Sequence, residues 1–322
     1  MLLFSIQYYK NEVKLKRNKI NIMKVINNFS GNYDEDPVRF LDFENYAKYF
    51  CDDIEFYFGH PPSDLIFEKN NNTKILFTLE EQYSNDPQWH DPLNIQQYEE
   101  HVDIIFTIIP NYLHNLKNRK YVFFPFNDKM VPPTREKKYD VSYTGFAKMS
   151  FLKNWFEVLQ KYDLAYVSFK EKVNLKIVLK NPKKYIPKIL APAKYDYPNN
   201  LITHPNLSYK QKLTTIAESR VSIAHNLLHH GTPQLKSRIF ESAFCKSLIL
   251  VYKDSYNLIN DWFEEGKHFI FFENNDDLKE KLDFILNNYS KFDEVREAAF
   301  IHAKNNYTVE KFVSRYLEDY KK

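Results

Sequence analysis

The stretch LKSRIFESAFCKSLILVY, residues 235–252, carries the pattern on which the fold assignment depends. Two cations and a carboxylate, Lys236, Arg238 and Glu241, fall within about two turns of a predicted helix. A nearly uncharged run, residues 247–252, follows at once. Because short apolar runs of this kind are typical of buried strands, the stretch predicts a charged helix that leads into a strand in the core of a sheet.

The rest of the chain supplies the context for this helix and strand. Strand-like and helix-like runs alternate along most of the sequence, which is the pattern of a parallel α/β sheet. The polar run DKMVPPTREKK, residues 128–138, contains two prolines and interrupts the alternation, which restarts with YDVSYTGF at residues 139–146. We therefore predict an α/β protein with two Rossmann-like domains that face each other across a cleft.

The alternation also sets the expected domain bounds. Residues 1–22 are predicted to be an N-terminal appendage, because a clear strand pattern begins only at residue 23. Residues 23–132 form the first Rossmann-like domain and residues 133–308 the second. Residues 309–322 are predicted to form a C-terminal helix that packs back on the first domain.

Composition excludes several classes of protein. The chain of 322 residues has a formal net charge of +3, which argues against a dedicated nucleic-acid or membrane-surface binder. Its five glycines exclude a phosphate loop built from several glycines. The opening MLLFSI is too short to span a membrane and no cleavage pattern follows it, so we expect a cytoplasmic protein. Cys51 and Cys245 lie in apolar helical patterns and are predicted to be reduced core residues.

The charged helix falls where a parallel sheet binds its ligands, beyond the carboxyl end of a strand. The strand VSIAHN ends at residue 226, and the helix begins near residue 235. Its first turn presents free N–H groups, to which Lys236 and Arg238 add positive charge that suits a diphosphate. Glu241, about one turn further on, suits the two hydroxyls of a ribose. The alternative is an ordinary surface pair between Arg238 and Glu241, although the apolar pattern of the helix places Glu241 beside the buried face.

These residues also carry a resemblance. SRIFESAFCKSLILV, with NNDDLKEKLDFILNN after it, resembles the C-terminal half of two-domain glycosyltransferases of the GT-B fold, closest to a group-1-like, spore-maturation-type branch. KKYDVSYTGF is similar to the strand and glycine turn that open the donor domain of that family, and VDIIFTIIPNY to the end of its N-terminal domain. The resemblance implies transfer of a sugar from a UDP or GDP sugar to a glycan or other hydroxyl acceptor, without a metal or other cofactor.

The resemblance implies a donor site of six residues: Gly145, His225, Asn226, Lys236, Arg238 and Glu241. In that family, the residue at the position of Glu241 holds the donor ribose. Arg238 and Lys236 would hold the diphosphate, with help from the turn at Gly145. His225 and Asn226, which end the preceding strand, would approach the donor sugar or its phosphates.

Two departures from the family pattern keep other functions open. Many related enzymes carry a second Glu eight residues before the first, where this chain has Pro233, and a glycine after the cysteine, where it has Lys246. These departures favour a non-catalytic nucleotide- or glycan-binding module of the same fold. A DNA-base glucosyltransferase is a further alternative; the near-neutral charge opposes it, although KNPKKYIPK at residues 180–188 is a local basic run.

A second resemblance concerns the catalytic base. NTKILFTLEEQ and VSIAHNLLHHGTPQLKSRIFESAF are loosely similar to α1,3-fucosyltransferases, which share the two-domain plan and invert the configuration of the sugar. In that family an acidic residue after the corresponding strand is a candidate base, which points to Glu80 or Glu81 on the acceptor side. No Asp-x-Asp pair lies in a plausible metal-binding loop; the YDED string at residues 33–36 is interpreted as an exposed loop or a helix cap, because Pro37 begins a predicted helix directly after it.

Overall fold

The structure, a computed structural model, describes residues 11–13, 24–27, 54–58, 71–78, 100–108, 110, 118–145, 150–168, 179, 182, 201–227 and 233–320. The chain divides into two compact units, residues 1–127 with 307–322, and residues 128–306. The sequence places the joint after residue 132, whereas the structural division follows Asn127. Within the described residues, no helix is both long and apolar enough to cross a membrane.

The described part of the first unit contains one six-stranded sheet. Its strands are β1 (Asn11–Val13), β2 (Lys24–Asn27), β3 (Ile54–Phe58), β4 (Thr73–Thr78), β5 (Ile104–Thr107) and β6 (Arg119–Tyr121). They lie in chain order across the sheet, with β1 antiparallel to β2 and all other neighbours parallel. β1 therefore forms an antiparallel edge from within the segment predicted to be an appendage.

The second unit contains a fully parallel sheet. Its strands are β7 (Tyr139–Thr144), β8 (Leu164–Ser168), β9 (His204–Pro205), β10 (Ser219–Ala224), β11 (Leu248–Tyr252) and β12 (Ile270–Phe272). Their order across the sheet is β12-β11-β10-β7-β8-β9, the order of a Rossmann fold, which reverses direction between β7 and β10. Such a reversal opens a crevice at the carboxyl ends of the two strands.

Six α-helices have bounds within the described residues. They are α1 (Ser150–Leu159), α2 (Tyr209–Ala217), α3 (Ser237–Phe244), α4 (Asn275–Asn287), α5 (Asp293–Asn306) and α6 (Val309–Tyr316). Several starts are set by local capping chemistry: Ser208 and Gln211 form a capping box at α2, and Asn274 and Thr308 cap α4 and α6. Short 3₁₀ turns occur at Asp128–Met130, Leu258–Asp261, Tyr289–Phe292 and Glu318–Tyr320.

Helices cover the second sheet on both faces. α1 packs with α4 against the face that carries Val141, Tyr143 and Val221, while α3 packs with α2 and α5. The pleat directs alternate residues to the α3 face, where the hydroxyl of Ser242 donates to that of Ser222 at 2.7 Å. These small side chains let α3 approach the sheet closely. Cys245, at the end of α3, is free and buried, as predicted.

Helix α3 ends at the position where the family pattern has a glycine. Lys246 adopts the left-handed conformation, with φ of 52°. The Ser247 N–H donates to the Ser242 carbonyl and the Lys246 N–H to the Ala243 carbonyl, each at 3.1 Å, which is the Schellman arrangement. The Lys246 ammonium donates to Glu297 at 2.6 Å and lies 4.3 Å from the centre of the Phe300 ring. The lysine thus serves as the helix terminator, and these contacts offset its backbone strain.

The C-terminal helix α6 belongs to the first unit. The Phe126 N–H donates to the Tyr307 carbonyl at 2.9 Å, and the Val309 N–H donates to the Phe126 carbonyl at 3.0 Å. Phe312 is fully buried, with its ring centre 5.9 Å from that of Phe77, 5.4 Å from that of Phe106 and 5.7 Å from that of Phe123. Side chains that are far apart in the sequence therefore share one aromatic core.

Replacing Phe312 by Ala is expected to destabilise the first unit by about 3–5 kcal/mol. The deleted ring would leave a cavity lined by Phe77, Phe106 and Phe123, whose rigid rings cannot collapse into it. Thermal and urea unfolding of the variant measure this loss. Lys311→Ala, an exposed neighbour on the same helix, is the control and is expected to be near neutral. A loss below about 1 kcal/mol for Phe312→Ala would show that α6 is not part of the core.

Lys246→Gly is expected to change the free energy of unfolding by less than about 1 kcal/mol, since relief of left-handed strain offsets the lost contacts with Glu297 and Phe300. Urea unfolding measures the change. Lys246→Val, whose branched side chain tolerates this conformation poorly, is the contrasting variant and is expected to lose stability. Equal stability of the Gly and Val variants would contradict the capping role.

Candidate active site

A cavity of about 290 Å³ opens at the carboxyl ends of β7 and β8, beside the start of α3. Thr144, Gly145 and Ser168 line it from the strand ends, Lys212 from α2, and Arg238 and Glu241 from α3. β7 is one of the two strands at which the strand order reverses, so the cavity lies where a parallel sheet binds its ligands. The first turn of α3 adds the positive end of its dipole.

Arg238 is held between an aromatic ring and a glycine. Its guanidinium carbon lies 5.0 Å from the centre of the Tyr143 ring, a cation–π contact. A Cβ atom at Gly145 would lie 2.6 Å from Nη2 of Arg238, and Gly145 has φ of +118°. Only glycine combines this backbone with this space. Nη1 of Arg238 is buried without a hydrogen-bond partner, so a donor is left for an anionic ligand.

Gly145 itself contributes space and not a donor. Its N–H donates to the carbonyl of Val167 at 2.9 Å, which continues the ladder between β7 and β8. The glycine turn was expected to help bind the diphosphate. That role stays a prediction; what the structure shows is that the glycine leaves room for the Arg238 guanidinium at the end of the strand.

Glu241 is 1% exposed, which is unusual for a carboxylate. Its Oε1 accepts hydrogen bonds from the Lys212 ammonium at 2.8 Å and from the Tyr209 hydroxyl at 3.2 Å. Its Oε2 is buried and has no partner. The alternative of an ordinary surface pair with Arg238 is therefore wrong: the carboxylate is buried, pairs with two residues of α2, and has one oxygen that could accept a further hydrogen bond.

His225 lies behind Arg238 and is 3% exposed. The Leu227 N–H donates to Nδ1 at 3.3 Å, which places the proton of the neutral ring on Nε2, 3.2 Å from the Tyr143 hydroxyl. Burial lowers the pKa of His225 well below its ordinary value, and the charges of Arg238 and Lys236 lower it further. The ring is therefore neutral at pH 7, and it supports Tyr143 beneath the guanidinium.

Asn226 and Lys236 form the entry to α3 and do not line the cavity. Oδ1 of Asn226 accepts from the Lys236 N–H at 3.3 Å, which ties the end of β10 to the start of the helix. The Lys236 ammonium donates to Oε1 of Gln234. Nδ2 of Asn226 is buried without a partner. Of the six predicted donor-site residues, the structure thus brings Gly145, Arg238 and Glu241 together at the cavity.

Three residues of the site were missed by the sequence analysis. They are Ser168, whose buried hydroxyl has no partner, and the two α2 residues that bind Glu241, Tyr209 and Lys212. The Ser208–Gln211 capping box marks the start of α2 in the sequence. It does not reveal that the first two turns of that helix face α3.

Several predictions fall outside the residues that the structure describes, and those for Cys51 and for the YDED string at residues 33–36 are among them. Glu80 and Glu81, the candidate bases, belong to that part of the chain, so their roles stay predictions. Among the described residues, no group of three or more His, Cys, Asp or Glu side chains is arranged to hold a metal ion.

Comparison with known proteins places the fold. Residues 171–318, somewhat less than half of the chain, match the family described as glycosyl transferase-like. Sucrose-phosphate synthase from Thermosynechococcus elongatus is similar over 87% of this chain and 76% of its own, with a TM-score of 0.58 and 7% identity. A search of the curated protein sequences finds no match.

Other solved structures have the same arrangement. Anabaena HepE, in complex with UDP and glucose, is similar over 77% of this chain and 71% of its own, with a TM-score of 0.52 and 8% identity. A variant of S. aureus TarM, in complex with Fondaparinux, alpha-GlcNAc-glycerol and UDP, is similar over 87% of this chain, with a TM-score of 0.55 and 13% identity. This chain spans 57% of the length of TarM. The predicted GT-B fold is confirmed: the sheet of the second unit is parallel throughout, and that of the first unit is parallel apart from its edge strand β1.

Gly145→Ala is expected to displace Arg238. If the cavity binds UDP, as the sequence resemblance implies, the variant is expected to bind UDP about tenfold more weakly, because one hydrogen bond to a charged group is worth about that much. Isothermal calorimetry with UDP measures the affinity. Gly266→Ala is the matched control, since Gly266 also has a positive φ, of +77°, but has open space around its Cα atom. Both variants lose stability through backbone strain. Wild-type UDP affinity in Gly145→Ala would show that Arg238 does not bind the ligand.

Proposed function

We propose that this chain is a glycosyltransferase that moves a sugar from a nucleotide-diphosphate sugar to a hydroxyl acceptor, such as a glycan. One observation carries the proposal: Nη1 of Arg238 and Oε2 of Glu241, a cationic donor and an acceptor, are both left without partners beside one cavity. A nucleoside diphosphate has groups complementary to both. The match of residues 171–318 and the GT-B fold support the same reaction class.

The diphosphate is assigned to Arg238 and the start of α3. A guanidinium presents two parallel N–H donors that fit phosphate oxygens, and the first turn of the helix adds backbone donors and a positive dipole end. The Tyr143 ring and the Gly145 turn hold the guanidinium in one orientation before the ligand arrives. The charge that develops on the departing diphosphate is thereby stabilised by the chain itself.

The ribose is assigned to Glu241. Because Oε1 is occupied by Lys212 and Tyr209, the ribose hydroxyls donate to Oε2. The similar structures of HepE and of the TarM variant were both solved with UDP. We therefore favour UDP over GDP as the nucleotide.

In the transfer step, the acceptor oxygen forms a bond to the anomeric carbon of the sugar. The bond between that carbon and the diphosphate oxygen breaks, and the nucleoside diphosphate leaves with the electron pair. If the configuration inverts, the acceptor proton passes to a base, and we propose Glu80 or Glu81 for this role. Arg238 and the α3 dipole provide the positive charge on the donor side, so the reaction is proposed to need no metal.

A non-catalytic nucleotide-binding module is the second candidate. Pro233 is buried and forms a bridge with Leu227, and it occupies the position at which many relatives carry a sugar-binding carboxylate. A site that lacks this carboxylate retains the ribose and diphosphate contacts described above. Binding without turnover is the behaviour that distinguishes the module from the enzyme.

The binding test is a thermal-shift panel of UDP, GDP, CMP and ADP, each with and without Mn²⁺. UDP is expected to raise the unfolding midpoint equally in both conditions, because it binds only the folded protein. Glu241→Gln and Arg238→Gln are each expected to lower UDP affinity about tenfold or more. Glu218→Gln is the matched control: Glu218 is also buried and paired with a lysine, at 2.8 Å, but at the opposite end of β10.

The catalytic test is UDP release from UDP-glucose in the presence of acceptor sugars, in wild type and in the Glu80→Gln and Glu81→Gln variants. Turnover that one of these variants loses would support the enzyme and identify its base. UDP binding without turnover of any supplied sugar nucleotide would favour the module. No shift with any nucleotide would overturn the donor site.

A further inference from the structure

Two residues of α2 occupy the same oxygen of Glu241. The Lys212 ammonium donates to Oε1 at 2.8 Å, and the Tyr209 hydroxyl donates to Oε1 at 3.2 Å. The same ammonium lies 4.7 Å from the centre of the Tyr209 ring. The three side chains therefore hold one another, so the carboxylate is clamped through one oxygen while the other, Oε2, is left without a partner.

Lys212 also supplies the charge that Glu241 requires. The carboxylate is 1% exposed, and a buried charge is strongly unfavourable unless it is paired and hydrogen-bonded. The Lys212 side chain is 24% exposed, so its cation keeps part of its hydration while it neutralises the carboxylate. The pair spans two helices and is set by how α2 packs against α3.

The position of Lys212 is fixed by the start of its helix. Ser208 caps α2, and its carbonyl accepts the Lys212 N–H at 2.9 Å. Tyr209 is the first residue of the helix, and Lys212 follows it by about one turn. The cap thus places both donors on the face of α2 that meets Glu241.

We propose that Lys212 is a positioning residue that makes the site selective for a complete ribose. By holding Oε1, it turns Oε2 toward the cavity, where the ribose hydroxyls donate to it. Nucleotides that lack one of these hydroxyls leave Oε2 buried and unpaired, which weakens their binding. The inference rests on the proposed function, in which the cavity binds a nucleoside diphosphate.

A competing role for Lys212 is a direct contact with phosphate, because Lys212 lines the same cavity. The two roles have different signatures. A phosphate contact strengthens the binding of ribonucleotides and deoxyribonucleotides by the same factor. A positioning role changes the ratio between them, because it acts only through the oxygen that the missing hydroxyl would reach.

The experiment measures the affinities of UDP, 2′-deoxy-UDP and 3′-deoxy-UDP by calorimetry. Wild type is expected to prefer UDP over at least one deoxy analogue by about tenfold, the size of a lost hydrogen bond to a charged group. Lys212→Met is expected to reduce that ratio to about threefold or less. Lys212→Arg is expected to retain most of the preference for UDP. Lys210→Met, which changes an exposed lysine on the same helix, is the control and is expected to leave the preference unchanged.

Two further variants keep the test decisive. Tyr209→Phe removes one of the two donors to Oε1 and keeps the aromatic ring. It is expected to lower the preference for UDP over the deoxy analogues by less than Lys212→Met does. This variant still tests the proposal if Lys212→Met fails to fold. In the Glu241→Gln background, Lys212→Met is expected to change the ratio no further, because the positioning acts through the carboxylate. A further change in the affinity ratio in the Glu241→Gln background would show that Lys212 does not act through Glu241.

An unchanged ratio in a folded Lys212→Met variant would overturn the positioning role. Equal losses for UDP and both analogues would replace it with a phosphate contact. Either result leaves the proposed function standing, provided that wild type binds UDP. If wild type binds none of UDP, GDP, CMP and ADP, the proposed function itself fails.

Discussion

Strands β7 and β10 pair directly although β8 and β9 separate them in the sequence, and the site depends on this pairing. Val141 lies opposite Val221 in the register, so both strands end at the same edge of the sheet. The chain that leaves β7 turns at Gly145, and the chain that leaves β10 enters α3. Because the strand order reverses here, the two connections diverge and leave the cavity between them.

The cavity edge holds charge that the fold satisfies only in part. Glu241 is buried and is compensated at one oxygen by Lys212 and Tyr209. Its second oxygen and Nη1 of Arg238 remain without partners, although buried polar groups are nearly always paired. Such atoms lower the stability of the protein, and the proposed ligand would pair with them. This division between structural and ligand-binding atoms is the physical basis of the proposed donor site.

The far end of α3 is a structural cap. Lys246 departs from the family glycine, and on sequence grounds this departure weakened the case for an active donor site. In the structure it terminates the helix in a left-handed conformation, held by Glu297 and Phe300. The helix therefore carries the proposed ligand-binding atoms in its first turns and a structural cap at its last. Of the two departures, only Pro233 bears on the proposed sugar site.

Local sequence patterns were enough to predict the alternation of strands and helices, the charged start of α3 and the glycine after β7, because periodicity, capping and turn chemistry are local. Which charges meet depends instead on how the helices pack on the sheet. Lys212 and Glu241 lie 29 residues apart and pair because α2 and α3 pack together on one face of the sheet. His225 and Lys236 were predicted to contact the donor, but their side chains contact Tyr143 and Gln234. The spacing of residues along the chain does not predict such contacts, because they depend on which face each helix turns toward its neighbours.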